Sequence, residues 1–175
     1  PAWLEHEGSR LAVLSYAEGW WSVTGAGVTT PGVAHAIKAD MESDVRAAIA
    51  AGADYVLVSV HWGDEHARSP NAFQREFGRA AIDSGAAAVL GHHPHVLQGV
   101  ERRGKGVILY SMGNFVFDMA ADPTYDSAAF QLDLADGGVR GLRILPFKIS
   151  RKDWTPRPAV DADARRILDQ MAAMS

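Results

Sequence analysis

The chain has 175 residues, 47% of them hydrophobic, and carries 17 Lys and Arg against 21 Asp and Glu, a formal net charge of −4. This length is typical of one folded domain, and the apolar content excludes a wholly disordered chain. The negative charge and the lack of a Lys/Arg block argue against a nucleic-acid partner. Because the chain has no cysteine, disulfides and thiolate chemistry are excluded, and any metal site must use nitrogen and oxygen ligands.

The first third of the chain contains a predicted strand, a loop and a helix. Residues 11–16 form a short apolar run that is typical of a buried strand. Residues 19–32 are rich in glycine and predict an irregular loop. Apolar residues at helical spacing predict a helix over residues 40–51, with Asp40 as its N-cap and Gly52 just after its end.

A strand, a helix and another strand follow in the middle of the chain. The unbroken apolar run over residues 55–60 predicts a strand that is covered on both faces. Ser69 and Pro70 predict the N-cap and the first residue of a helix that ends before Gly85. Residues 86–90 predict the next strand, so the alternation indicates an α/β fold.

The last part of the chain predicts two hairpins and a terminal helix. Runs over residues 96–101 and 107–110 flank a basic turn and predict the first hairpin. Alternation over residues 130–134, a glycine turn and a return strand over 139–149 predict the second. Asp161 predicts the N-cap of the last helix. The apolar face of this helix consists of Ile167, Leu168 and Met171.

Four of the seven histidines lie at the ends of two predicted strands. His61 follows one strand directly, and His92, His93 and His95 follow the next one. Because the carboxyl ends of the strands in an open α/β sheet form its functional rim, we expect these side chains to meet. Imidazoles bind zinc, iron, manganese or copper, so the sequence predicts a divalent-metal site. The alternative for each histidine alone is a hydrogen-bonded loop residue.

Polar residues beside the histidines are further candidates. Asp64 and Glu65 offer an oxygen ligand, an orienting partner for an imidazole or a proton-transfer group, although acidic residues are common on surfaces. Asn114 follows another predicted strand and offers its amide to a substrate or a metal, whereas Gly-Asn is also ordinary turn chemistry. On spacing alone, both interpretations of Asp64 and Glu65 stay open, whereas the turn is favoured for Asn114.

The tryptophans offer an apolar wall for the same cavity. Trp20 and Trp21 lie in the glycine-rich loop and Trp62 follows His61, although core packing is favoured for at least one of them. The histidines outside the two clusters are predicted to contact solvent. They are His6, His35 and His66.

Motif spacing points to a hydrolase and to one family. No nucleophile elbow, P-loop or dinucleotide-binding glycine motif occurs, which leaves metal-assisted hydrolysis as the predicted chemistry. Residues 58–65 (VSVHWGDE), 91–99 (GHHPHVLQG) and 110–117 (YSMGNFVF) occur in this order, with Pro70 and Gln74 between the first two. Together these motifs resemble the poly-γ-glutamate capsule synthesis protein family of CapA type over roughly residues 11 to 150.

The resemblance implies a fold and a site. The family is similar to calcineurin-like metallophosphoesterases, so we expect an α/β fold in which a β-sandwich flanked by helices holds two divalent ions at the strand ends. Manganese, iron or zinc is the implied cofactor. The implied metal ligands are His61, His92 and His95, and the implied catalytic residues are Glu65, His93 and Asn114, with His93 as the alternative to His92.

The resemblance departs from the family pattern before His61. The Gly-Asp motif, the acidic loop residue and the Asn-His pair that complete the dinuclear site have no counterpart there. We therefore expect residues 1–150 to be the C-terminal portion of the family domain with an incomplete site, and residues 151–175 to be an extension with a helix. Such a half-sandwich exposes apolar sheet surface and an unpaired edge, which predicts either self-association or rearrangement of the chain on its own.

The implied function is capsule or poly-γ-glutamate biosynthesis. We expect a metal-dependent, phosphoesterase-like hydrolase that acts on an anionic polymer or a phosphorylated precursor in the cell envelope. The alternative is a non-catalytic, polymer-binding accessory subunit that associates with the ligase and membrane subunits of capsule synthesis. The family resemblance implies an extracytoplasmic location, with a membrane anchor in the parent protein.

Overall fold

A six-stranded sheet forms the centre of the molecule in the computed structural model, which describes residues 1–19, 25–118 and 123–175. Its strands in chain order are β1 (Ala2–His6), β2 (Ser9–Ala17), β3 (Tyr55–His61), β4 (Ala88–His92), β5 (Val100–Arg103) and β6 (Gly106–Leu109). They lie side by side in the order β1-β2-β3-β4-β6-β5. The four central strands are parallel, and the two edge strands are antiparallel to their neighbours. The carboxyl ends of the parallel strands therefore meet at one end of the sheet.

A smaller antiparallel sheet covers one face of the larger sheet. It consists of β7 (Asp126–Ala135), β8 (Gly138–Ile149) and β9 (Pro156–Pro158), in that order. The two sheets enclose a shared apolar cluster. Its members include Ala88, Val107, Leu109 and Val139, with the partly buried Phe130 and Leu132 packed against them. This arrangement confirms the predicted α/β sandwich.

Helices pack on the remaining apolar surfaces. They are α1 (Lys38–Ala50), α2 (Ala72–Asp83) and α3 (Asp161–Ala173). α1 and α2 cover the other face of the six-stranded sheet. Along β3, Val56, Val58 and Val60 face these helices, and the residues between them face the smaller sheet. α3 buries Ile167 and Met171 in a separate cluster. No helix among the described residues is both long enough and apolar enough to cross a membrane.

The start of α2 corrects one prediction. Ser69 and Pro70 are not the N-cap and the first helical residue, because the N-cap is Asn71. The Asn71 side chain accepts a hydrogen bond from the Gln74 backbone N–H, and the Gln74 side chain accepts one from the Asn71 backbone N–H, each at 3.0 Å. This reciprocal capping box satisfies two backbone donors at once, so the helix begins there instead.

The other two predicted N-caps are also wrong. The N-cap of α1 is Ile37, without a side-chain hydrogen bond, and Asp40 lies in the first turn, where a carboxylate favours the helix dipole. The N-cap of α3 is Val160, and Asp161 is the first helical residue. Leu168 of α3 is 37% exposed, so the buried face of this helix is narrower than predicted.

The strand predictions succeed where apolar residues run together. Residues 11–16 and 55–60 lie within β2 and β3, and the hairpin of β7 and β8 forms as predicted. The strand predicted over 86–90 starts at Ala88, and the strand predicted over 96–101 starts only at Val100. β1 escaped prediction because all five of its residues are exposed and carry no apolar alternation.

Three sequence-based expectations stay open. Residues 20–24 of the predicted glycine-rich loop lie outside the described residues, and the described remainder pairs only through single bridges. β1 leaves Trp3 and Leu4 partly exposed at the edge of the sheet, but the predicted self-association stays a prediction. The same holds for the division at residue 150, after which β9 pairs with β8 and α3 follows.

Candidate metal centre

The candidate site lies at the carboxyl ends of β3 and β4. His61 and His92 end these parallel strands and are register partners, so their backbones lie side by side. The Trp62 backbone N–H donates to the His92 carbonyl at 3.1 Å and continues this pairing beyond the last strand residue. The two histidine motifs, separated by about thirty residues in the sequence, therefore meet as predicted.

The loop after β4 carries two histidines in an unusual backbone conformation. His93 and His95 have φ angles of 96° and 61°, and His66 in the facing loop has a φ angle of 61°. Left-handed conformations are uncommon for residues other than glycine, and strain of this kind clusters at functional sites. The His66 backbone N–H donates to the Pro94 carbonyl at 2.9 Å, which joins the two loops.

The histidines line one cavity of about 520 Å³. The ring centroids of His61 and His93 are 4.5 Å apart, and those of His93 and His95 are 5.9 Å apart. The cavity lining also includes His92, Asn114, Phe115, Val116, Phe117 and Phe130. The structure thus gathers five of the six predicted site residues around a single space, with apolar side chains on its other walls.

The sixth predicted residue, Glu65, completes a group with metal-binding chemistry. One carboxylate oxygen of Glu65 and one ring nitrogen each of His93 and His95 lie within 4.8 Å of one another. A tetrahedral zinc site with metal–nitrogen bonds of 2.0–2.1 Å separates its ligand atoms by about 3.4 Å. A small inward movement of these side chains would therefore bring them into coordination range, and two nitrogens with one oxygen suit zinc, manganese or iron.

Asn114 orients one member of this group. Its Oδ1 atom lies 2.8 Å from Nδ1 of His95, and since a carbonyl oxygen can only accept, this contact favours the tautomer with the proton on Nδ1. In that tautomer of the neutral imidazole the Nε2 atom keeps its lone pair, as metal binding requires. Asn114 is itself buried, and its backbone carbonyl accepts a hydrogen bond from the Ser127 hydroxyl. Both predictions for Asn114, a turn residue and a site residue, are thus compatible with its position.

The remaining two predicted ligands are held in the neutral state. Desolvation lowers the pKa of His61, and the positive charges that His93, His92 and His95 would carry lower it further. Desolvation also lowers the pKa of His92. Both imidazoles therefore remain uncharged at neutral pH and keep a free nitrogen lone pair.

Trp62 does not line the cavity but packs in the core, the outcome that the sequence favours for at least one of the three tryptophans. Its side chain is 1% exposed and packs against Phe77 and Tyr110, while its Nε1 atom donates to the Tyr110 carbonyl at 2.8 Å. The alternation of β3 places Trp62 on the same face as Val60, toward the helices. Trp20 and Trp21 lie outside the described residues.

A buried amide network supports the site, and sequence reasoning gave no role to either of its members. Gln74 and Gln98 are fully buried, and Nε2 of Gln74 donates to Oε1 of Gln98 at 2.9 Å. Nε2 of Gln98 donates to the carbonyl of Ala67 at 2.8 Å. The network thus connects helix α2 to the loop of Glu65 and to the segment that follows His95. Glutamine is seldom fully buried, so a buried glutamine indicates a specific role. The sequence alone does not show which glutamines are buried.

Glu18 is a third residue to which the sequence assigned no role. It follows β2, and its carboxylate accepts a hydrogen bond from the Gly63 backbone N–H at 2.8 Å. Its own N–H donates to the His61 carbonyl at 2.8 Å. Glu18 therefore fixes the turn that leads from His61 to Glu65. Its position directly after a predicted strand was the available signal.

Comparisons with known proteins point to one family. The family model described as "Bacterial capsule synthesis protein PGA_cap" matches residues 1–119. "Capsule biosynthesis protein CapA" of Bacillus anthracis is 41% identical over 120 residues, which cover 68% of this chain and 29% of that protein. "PGA biosynthesis protein CapA" of Bacillus subtilis is 44% identical over 106 residues, 61% of this chain and 27% of that protein.

A more distant relative carries a different description. It is a "Probable polyglutamine synthesis accessory protein" of Mycobacterium tuberculosis, 32% identical over 124 residues, which cover 64% of this chain and 32% of that protein. The chain therefore spans less than a third of the length of each of these three relatives.

Proposed function

Because this chain belongs to the bacterial capsule synthesis protein PGA_cap family, we propose that its histidine cavity is the metal centre of a phosphoesterase-like hydrolase in poly-γ-glutamate capsule synthesis. The observation that carries the proposal is the convergence of Glu65, His93 and His95 from two separate loops. Its substrate is the anionic polymer or a phosphorylated precursor of it, which the parent protein meets outside the cytoplasm.

In this proposal, different residues of the chain bind the metal, orient one of its ligands and accept a proton. Glu65, His93 and His95 would hold a divalent ion, which when bound supplies Lewis-acid polarisation of a substrate oxygen. Asn114 keeps His95 in the required tautomer through their 2.8 Å contact. A ring nitrogen of the neutral His61 is available to accept a proton at the cavity wall.

A non-catalytic accessory role is the second candidate. It is favoured by the apolar side chains beside the histidines, because Phe115, Val116 and Phe117 are 44%, 73% and 41% exposed. Exposed apolar residues in a group are typical of contact surfaces. In this role the cavity holds the polymer while the protein associates with the ligase and membrane subunits of capsule synthesis.

Metal titration of the chelator-stripped chain tests the metal centre. We expect manganese or zinc to bind and to raise the melting temperature, since an ion that binds only the folded state stabilises it. His95→Ala and Glu65→Gln should weaken the affinity by more than about tenfold. His6→Ala is the matched control, because this histidine is highly exposed. Equal affinity of all four proteins would overturn the proposal.

Hydrolysis assays of the parent protein separate the two candidate roles. The hydrolase predicts metal-dependent cleavage of a phosphoester or of poly-γ-glutamate, which His95→Ala abolishes and His6→Ala leaves unchanged. If the metal-loaded protein cleaves neither substrate, while His95→Ala still supports capsule production, the accessory role is supported and the hydrolase is excluded.

A further inference from the structure

Four charged side chains join helix α3 to one end of the smaller sheet. We call them the ion-pair cluster, which consists of Asp126, Lys148, Asp163 and Arg166. Arg166 donates to both carboxylate oxygens of Asp126, at 2.6 and 2.8 Å. It also donates to Asp163 at 3.0 Å, and Asp163 accepts a further hydrogen bond from the Lys148 ammonium at 3.2 Å.

The ion-pair cluster ties both long strands of the smaller sheet to one turn of α3. Asp126 and Lys148 are register partners on β7 and β8. Asp163 and Arg166 lie three residues apart on α3 and therefore share one face of the helix. The Asp126 side chain is only 16% exposed. A two-bond arginine–carboxylate pair at such a position fixes geometry, unlike an ordinary surface ion pair.

A chain of contacts leads from Asp126 to the histidine cavity. The next residue, Ser127, is fully buried, and its hydroxyl donates to the Asn114 carbonyl. The two segments also touch directly, because a methyl group at Gly113 would lie 3.5 Å from the Asp126 carbonyl oxygen. Asn114 Oδ1 then lies 2.8 Å from Nδ1 of His95. The position of Asp126 is therefore passed on to a candidate metal ligand.

Apolar contacts of α3 follow the same route. Ala128 comes directly after Ser127 and lines the histidine cavity. It also belongs to the apolar cluster that contains Ile167 and Met171 of α3. Helix α3 therefore packs against the strand that forms part of the cavity wall. Since a hydrogen bond weakens steeply once its atoms move apart by a few tenths of an ångström, a shift of this strand would be felt at Asn114.

The end of α3 contacts the segment that follows His95 as well. The Val100 backbone N–H donates to the Ser175 hydroxyl at 2.9 Å. The Met174 carbonyl lies so close to Gly99 that no side chain would fit there. One helix thus contacts both of the segments whose side chains, His95 and Asn114, form the hydrogen bond at the site.

We propose that Arg166 is a positioning residue of the histidine cavity. Through Asp126 and Ser127 it fixes Asn114, and Asn114 in turn holds the His95 imidazole in the tautomer with the proton on Nδ1 and a lone pair on Nε2. The importance of this tautomer for binding an ion rests on the proposed function. Its dependence on Arg166 does not, because every contact in the chain is made by the protein alone.

Long-range proton–nitrogen NMR spectra of the chelator-treated protein test the proposal, because they distinguish the two imidazole tautomers. They are recorded at about pH 9, where an ordinary imidazole is neutral, and a His95→Gln variant assigns the His95 signals. Asn114→Ala should lower the ratio of the Nδ1-protonated to the Nε2-protonated form by about fivefold, the usual net effect of one hydrogen bond. Arg166→Gln should lower this ratio by at least about twofold, since it weakens the same bond.

Two other substitutions separate positioning from general stability. Ser127→Ala should change the tautomer ratio in the same direction as Arg166→Gln, although it leaves the ion-pair cluster intact. Arg140→Gln is the matched control, because it breaks an exposed ion pair with Asp133 on the same strand, with a contact of 2.9 Å. The ratio in Arg140→Gln should equal that of the wild type. Thermal melts establish that each variant is folded at the temperature of the spectra.

Zinc titration of the same proteins completes the design. Arg166→Gln and Ser127→Ala should each weaken zinc binding by up to about tenfold, and the double variant should lose no more than the weaker single variant, because both act through Asn114. A wild-type tautomer ratio in Arg166→Gln and Ser127→Ala would overturn the positioning role, even if zinc binds. Additive losses of affinity would also overturn it. A changed ratio in a protein that binds no zinc would support the positioning role and refute only the proposed metal centre.

Discussion

Replacement of Gln74 by leucine tests the buried network that supports the candidate metal centre. The substitution keeps the side-chain volume nearly constant but removes three hydrogen bonds. Gln74 Nε2 donates to Gln98 Oε1 at 2.9 Å and to the Tyr110 carbonyl at 3.3 Å, and Gln74 Oε1 accepts from the Asn71 N–H at 3.0 Å. The Tyr110 carbonyl keeps its bond from Trp62, so two groups lose their partner.

The magnitude follows from these two groups. An unsatisfied buried acceptor such as Gln98 Oε1 costs about 1–3 kcal/mol. Loss of half of the capping box at Asn71 costs about 0.5–2 kcal/mol. We therefore expect Gln74→Leu to lower the free energy of unfolding by about 2–4 kcal/mol. Metal affinity should fall with it, because the network joins the loop of Glu65 to the segment after His95.

Urea denaturation of a double-mutant cycle measures the effect. Gln98→Leu and the double variant complete the cycle, and Gln131→Leu on the exposed face of β7 is the matched control. The double variant should lose less stability than the sum of the single variants by about 1 kcal/mol, since the shared hydrogen bond is lost only once. Additive effects, or a Gln74→Leu variant as stable as Gln131→Leu, would refute the reasoning.

Two further substitutions test the surroundings of the site. In Gly91→Ala the new methyl group would collide with the Tyr110 carbonyl and lie 2.6 Å from Trp62 Nε1. We therefore expect the free energy of unfolding, measured in urea, to fall by about 2–4 kcal/mol. A urea midpoint equal to that of the wild type would contradict this packing. Hydrogen bonds from Arg79 and then Tyr110 lower the pKa of Glu101, so its stabilising effect is complete at neutral pH and is lost as the pH falls below the usual range of a glutamate. Glu101→Gln should therefore destabilise the protein by about 1 kcal/mol at pH 7 and have little effect near pH 3; a difference that stays constant with pH would contradict this assignment.

The sequence predicted the fold wherever one physical signal dominated. Long apolar runs such as residues 55–60 form central strands, because a strand that is covered on both faces needs apolar side chains on both. The run itself is visible in the sequence, so these strands can be predicted without knowledge of the rest of the fold. Helix starts were less predictable, because Ser69, Asn71 and Asp64 are all capping residue types within one short segment. Asn71 is the N-cap because its side chain accepts a hydrogen bond from the Gln74 backbone N–H and the Gln74 side chain accepts one from the Asn71 backbone N–H. Neither residue reveals this pairing by its identity alone.

The candidate site shows the same division between local and tertiary information. The meeting of His61 and His92 followed from topology, since both end parallel strands. The grouping of Glu65 with His93 and His95 depends on left-handed backbone turns and on the contact between two loops. Residue spacing does not encode such turns unless glycine marks them, and here histidine occupies the left-handed positions.

Glu65→Gln tests the metal centre without disturbing the loop that carries it. The position of this loop is fixed by backbone contacts: the His66 N–H donates to Pro94, and the Ala67 carbonyl accepts from Gln98. Because these contacts do not involve the Glu65 side chain, replacing that side chain leaves the loop in place. Glu65→Gln should therefore weaken metal binding and leave the free energy of unfolding of the metal-free protein unchanged in urea denaturation. A loss of both would mean that the loop itself had moved.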